Sequence, residues 1–266
     1  MYNDIKDYNI KFVECNSRLE VYRYDAPIII GKTNNRNGRK GIHDMEYRKI
    51  EKNRKETLNK ARNEIIRLAQ CNPDLSTFIT LTYAENMKDI RQSKADLCKC
   101  LRMMQRFFPS FKYLYVLEFQ QRGAIHYHML CNMPVPVKTA KSKQIKPEEQ
   151  KEFEQFFEET FWIHGFVDIR DLKKEGNTNV GLYVSVYLVE DLFKIDLQGN
   201  RCYGYSRNLK KPIITKNHIG LLNQDIIVES HQNYDMHYIA NYKIQFKSGL
   251  KSFTNTVTYF DMYRKE

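Results

Sequence analysis

The sequence predicts an α+β fold, a central antiparallel β-sheet with helices packed on it. Three observations carry this expectation. From residue 78 onward, β-rich runs and stretches of helical spacing follow one another as strand, helix, strand, strand, helix, strand, helix. The two consecutive strands are separated by Gln120-Gln121-Arg122-Gly123, a plausible tight turn, so they read as an antiparallel hairpin. The helical stretches carry apolar residues along one side only, as helices lying on a sheet do.

Taken in order, residues 1–30 are aromatic and mixed and end in the strand-like run Ala26-Pro27-Ile28-Ile29-Ile30. Residues 31–67 are strongly basic. Their first part, around Asn34-Asn35-Arg36-Asn37-Gly38-Arg39-Lys40-Gly41, reads as loop. Their second part spaces Leu58, Ala61, Ile65, Leu68 and Ala69 as a helix would. Phe78 to Tyr83 is rich in β-branched and aromatic residues and predicts a strand. Lys94 to Phe108 predicts a helix, stopped by Pro109. Tyr113 to Phe119 is the second strand, and residues 123–130 hold the third. Lys146 to Trp162 predicts an acidic amphipathic helix, Gly165 to Arg170 a further strand, and Leu182 to Leu192 a helix carrying two tyrosines. The helices are expected on one side of the sheet. The spacing divides the chain into a basic extension with a helix (1–75), a central domain (76–225) and C-terminal strands of that same domain (226–266).

Composition narrows the partners. The 266 residues hold 43 Lys and Arg against 32 Asp and Glu, a formal charge of +11. Such an excess points to a polyanion, nucleic acid first. No apolar run approaches the length needed to span a bilayer, so no membrane partner is expected. The six cysteines are scattered without a C-x-x-C pair, which reads as free thiols in a reducing cytosol.

The chemistry concentrates at Gly123-Ala124-Ile125-His126-Tyr127-His128. Side chains alternate faces along a strand, so His126 and His128 point the same way and Tyr127 the other. Two imidazoles on one face can grip one metal ion. Glu118 lies eight residues before His126, and pairing about a turn centred near Arg122 sets the two opposite each other. Two nitrogens and a carboxylate suit a divalent metal, Mn²⁺ or Mg²⁺. Tyr183 and Tyr187 are four apart on the last helix and share one of its faces. A tyrosine hydroxyl can attack phosphorus and form a covalent ester.

Together these residues resemble the HUH endonucleases, the rolling-circle replication initiators and relaxases, over about residues 76–210. Phe78-Ile79-Thr80-Leu81-Thr82-Tyr83 is similar to the family's first motif, His126-Tyr127-His128 to the second, and the helix with Tyr183 and Tyr187 to the third. Val186 and Glu190 stand where phage and plasmid relatives often have lysines, and Lys194 follows one turn on. The resemblance implies an RNA-recognition-like sheet and a metal at His126, His128 and Glu118. It implies that Tyr183, or Tyr187, cuts one DNA strand at a replication origin of a plasmid or phage. Single-tyrosine relatives favour Tyr183. The products would be a 5′-phosphotyrosyl link and a free 3′-hydroxyl, with later rejoining. Single-stranded DNA would be met by Arg36, Arg39, Lys40, Arg48, Lys49, Arg122 and Lys194. The sequence has no G-x-x-x-x-G-K-[ST] motif, so a host helicase and DNA polymerase would be needed, in the cytoplasm of a bacterial host. A relaxase or transposase with the same chemistry, and a DNA-binding relative that does not cleave, remain open alternatives.

Overall fold

The computed structural model describes residues 7–29, 47–120, 122–140, 144–176, 180, 183, 201–220, 233–248 and 251–265. They fall into two units, Met45–Lys210 and Met1–Asp44 with Lys211–Glu266. Each has its own five-stranded sheet.

The larger unit holds α1 (Tyr47–Cys71), β3 (Thr77–Tyr83), α2 (Ile90–Phe107), β4 (Tyr113–Phe119), β5 (Ile125–Cys131), α3 (Glu148–Thr160), β6 (Gly165–Asp171) and β7 (Tyr203–Tyr205). Its strand order is β6-β3-β5-β4-β7, and every neighbouring pair is antiparallel. The first four strands with α2 and α3 form the split β-α-β-β-α-β arrangement, which places β3 and β5 side by side inside the sheet. The predicted α+β class is therefore the observed one.

Alternation divides the sheet into two faces. One face presents Ile79, Leu81, Leu117, Tyr127, Met129 and Ile169, buried under Leu97, Leu101 and Met104 of α2 and Phe157 of α3. Asp89 starts α2 by accepting hydrogen bonds from the amides of Arg91 (2.8 Å) and Gln92 (3.1 Å). That cap sets the helix start at Ile90, four residues ahead of the start the apolar spacing suggests. The outer edge of β6 is covered by side chains. Glu158 accepts from the Val167 amide (2.8 Å), Glu154 from Ile169 (2.9 Å) and Thr139 from Asp171 (3.0 Å). An edge satisfied in this way offers little to a stray strand. Gly165 lets β6 approach β3, because a Cβ there would lie 2.3 Å from the Ala84 amide nitrogen.

The opposite face is only partly covered. Leu58, Ile65, Leu68 and Ala69 of α1 pack there against Phe78, Leu114, Val116 and Leu130. The helices thus lie on both sides of the sheet. The α1 stripe is apolar enough to be buried, and α2 and α3 already fill the first face.

The smaller unit holds β1 (Asp7–Cys15), β2 (Arg18–Ile29), β8 (Ile213–Asn217), β9 (Tyr234–Ser248) and β10 (Lys251–Arg264), in the order β8-β1-β2-β10-β9. Here the expected division at residues 75 and 225 differs from the observed one. The C-terminal strands extend the N-terminal hairpin, with Val257 paired to Tyr24 and Phe260 to Val21. Helix α1 belongs with the larger unit. Pairing over so long a stretch of chain leaves no local trace in a sequence.

Candidate metal centre

The hairpin between β4 and β5 sets the geometry. The Gly123 amide donates to the Gln120 carbonyl (2.7 Å) and the Gln120 amide to the Ala124 carbonyl (2.8 Å). Gly123 has φ +81°, a left-handed conformation that glycine adopts without a Cβ penalty. The turn fixes the register, and Glu118 stands directly opposite His126, as the arithmetic about Arg122 requires. On the other side of β5, Thr82 faces His126 and Thr80 faces His128.

The ligand atoms of Glu118, His126 and His128 all lie within 4.8 Å of one another. His128 Nε2 meets a Glu118 carboxylate oxygen, and its Nδ1 lies 3.1 Å from Thr80 Oγ1. Both histidines are buried, while Glu118 is half-buried. His126 Nε2 is buried with no hydrogen-bond partner among the described residues. Such a nitrogen costs about 1–3 kcal/mol unless something satisfies it. Burial is the main cause that holds the His126 imidazole down at about 4, reinforced by His128, opposed by Glu118, and reinforced again by Arg122. His126 is therefore neutral at physiological pH and offers a lone pair. An unsatisfied neutral nitrogen, a second imidazole oriented by a threonine and a carboxylate fit a divalent cation.

Tyr183 lies on this same side of the sheet. Its ring packs edge-on against Phe78, with centroids 5.2 Å apart, and Phe78 stacks on His128 at 5.6 Å. One aromatic ring thus separates Tyr183 from the histidines. The backbone is helical at Val180 and Tyr183. Tyr183 Oη accepts a hydrogen bond of 2.5 Å from Arg170 Nη1. Arg122 sits in the turn, donating to Gln120 Oε1 (2.8 Å) and to the Tyr83 carbonyl (3.4 Å). Tyr187, Lys194, Arg36, Arg39 and Lys40 lie outside the described residues. For Arg48 and Lys49 only the α1 backbone is described.

Sequence reasoning missed Arg170 and Glu175. Arg170 is buried, and its Nε donates to Glu175 Oε1 (3.0 Å) while Nη2 pairs with the other carboxylate oxygen. An arginine at an even position of the Gly165 to Arg170 run, on the histidine face, was the one available signal.

Residues 76–192 match the family model of replication-associated proteins of the ORF2 type. The matched stretch contains all three candidate metal ligands and both tyrosines. The central part of this chain is thus similar to replication-associated proteins, which supports a role in starting replication. No curated protein and no solved structure matches the chain. Among the described residues no helix is long and apolar enough to cross a membrane.

Proposed function

We propose that this chain is an HUH-type replication initiator that nicks one DNA strand at an origin by tyrosine transesterification. The observation that carries the reading is the convergence of Glu118, His126 and His128, with a buried nitrogen unpartnered among the described residues, on the sheet face where Tyr183 lies. Those three residues would hold Mn²⁺ or Mg²⁺, which when bound supplies charge neutralisation at the scissile phosphate. Thr80 orients His128, and the hydrophobic flank formed by Phe78 restricts water.

Tyr183 Oη attacks phosphorus, with Tyr187 as the second tyrosine on the same helix. The Oη–P bond forms as the bond from phosphorus to the 3′-oxygen breaks. The phenol proton is lost and the 3′-oxygen gains one, which leaves a 5′-phosphotyrosyl link and a free 3′-hydroxyl. The reverse transfer rejoins the strand. The basic stretch from Lys32 to Arg67, with Arg122 and Lys194, meets phosphates of single-stranded DNA, and a host helicase and polymerase extend the primer.

Covalent capture tests the reading. A labelled pool of single-stranded DNA of random sequence, incubated with the chain and Mn²⁺, is expected to yield an adduct that maps to Tyr183 or Tyr187 by peptide mass spectrometry. Tyr183→Phe is expected to lose the first-strand adduct, and His126→Ala/His128→Ala to lose all adducts. An adduct on neither tyrosine, with DNA binding retained, would leave a DNA-binding relative that does not cleave.

A further inference from the structure

We infer that Arg170, held by Glu175, is the cationic partner of the attacking tyrosine oxygen; this rests on the proposed role of Tyr183. Arg170 and Phe78 are cross-strand partners on the histidine face, and Tyr183 sits over that pair. The His128 row lies two residues further along β3, about 7 Å away. The guanidinium is divided between two tasks. Nε and Nη2 are taken by the two carboxylate oxygens of Glu175, and Nη1 donates to Tyr183 Oη at 2.5 Å. The fork is thereby fixed in direction, with its third arm on the phenol oxygen.

Several features set this apart from a buried ion pair that merely fills space. The Arg170 and Glu175 side chains are 8% and 6% exposed, so the pair is largely desolvated and its field acts at short range. Arg170 is held above its already high ordinary pKa; burial opposes this, and Glu175 and Tyr183 outweigh it. It stays protonated at every working pH, so it can donate but cannot serve as the base. Finally, the positions three and four residues from Tyr183 along its helix are Asn179, Val180, Val186 and Tyr187. None brings a cation to that oxygen, and the strand supplies one instead.

The role follows from the atoms. During attack the phenol proton leaves to solvent, Oη bonds to phosphorus and the 3′-oxygen departs with a proton. During rejoining the 3′-hydroxyl loses its proton, bonds to phosphorus and expels Oη as a phenolate. Arg170 Nη1 orients the oxygen before attack and balances its negative charge as it leaves. The same donor therefore serves both directions.

The test uses the full chain and a single-stranded oligonucleotide selected from a random pool by covalent capture on the unaltered protein. Rates of adduct formation and of rejoining are measured in single turnovers, beside the Kd for the same oligonucleotide. Arg170→Met with Glu175→Met, which removes both buried charges together, is the main variant, since one charge left alone would threaten folding. It is expected to slow both steps by about 100-fold, the scale of losing one donor at a developing oxyanion, with Kd changed less than about threefold. Arg170→Lys is expected to retain part of the rate. Free guanidinium, far below denaturing concentration, is expected to restore part of the rate of Arg170→Ala. The inference is overturned if the double variant matches the unaltered chain. It is equally overturned if the loss follows Kd, or if neither lysine nor guanidinium recovers any rate, since each result describes a structural pair. Failure of the unaltered chain to form any adduct removes the reading of Tyr183 itself, and this inference with it.

Discussion

His126 and Tyr127 are neighbours in β5, yet they face opposite environments. Tyr127 is fully buried among α2 and the neighbouring strands, and its hydroxyl shares a 2.9 Å hydrogen bond with Ser93. His126 is also buried, but its Nε2 has no partner among the described residues. The face of Tyr127 is closed by two helices. The face of His126 is covered only in part, by α1 and the Tyr183 segment, and gathers polar groups that suit a ligand. A period of two along one strand thus separates a face that stabilises from a face equipped for chemistry.

The largest expected difference lies in stability. Tyr127→Ala removes a fully buried ring and is expected to cost about 3–5 kcal/mol. His126→Ala/His128→Ala removes an unsatisfied nitrogen along with two rings and is expected to cost about 1 kcal/mol or less without metal. Urea unfolding followed by fluorescence measures both, because Trp162, the chain's only tryptophan, is buried in the closed core. Equal losses would mean that the histidine face is structural.

Metal should then act on one face alone. At a Mn²⁺ concentration about one hundred times its Kd, stabilisation of about 2.7 kcal/mol is expected. It should vanish in Glu118→Ala and His126→Ala and persist in a destabilised closed-face variant such as Met104→Ala. Calorimetry with and without chelator measures this. The pH dependence sharpens it. In chelator, the folded His126 titrates near 4 and its unfolded form near the usual 6.5. Between those values the unfolded chain binds the extra proton, so stability rises with pH from about 4 to 6.5 and is flat in this respect outside that window. His126→Ala is expected to remove that slope. A slope unchanged in the variant would assign it to another group.

A smaller effect is expected at Thr80. Thr80→Val keeps the shape but removes the oxygen 3.1 Å from His128 Nδ1. Mn²⁺ affinity is expected to fall by about tenfold, the lower end for losing a group that orients a metal-binding histidine. Titration calorimetry reads it directly. Unchanged affinity would show that Glu118 alone orients His128.

How much of this was legible in the sequence follows the range of the contacts. The pairing of Glu118 with His126 was readable because a turn of a few residues fixes it. The common face of His126, His128, Thr80 and Thr82 was readable from alternation. The buried stripe of α1 was visible as spacing, but the face it covers depends on which side α2 and α3 occupy first. Arg170 and Tyr183 meet only because β6 lies beside β3 and the chain then returns over that face. The second sheet, joining Tyr24 to Val257, was invisible for the same reason in stronger form.

The smallest expected effect concerns Arg122 in the β4–β5 turn, at the metal end of the open face. Its hydrogen bonds reach a neighbouring glutamine side chain and one carbonyl at 3.4 Å, so the turn does not depend on it. Arg122→Gln is expected to leave the unfolding free energy within about 0.5 kcal/mol, as for an ordinary surface change. If Arg122 meets one phosphate of single-stranded DNA, the log–log slope of affinity against salt should flatten by about 0.7. Fluorescence anisotropy at several salt concentrations gives that slope. An equal change made on the closed side, Lys99→Gln on the exposed surface of α2, should leave it untouched. A flattened slope in both variants would mean that DNA senses only the net charge of +11. A flattened slope in Arg122→Gln alone would place the strand across the face that carries His126 and His128.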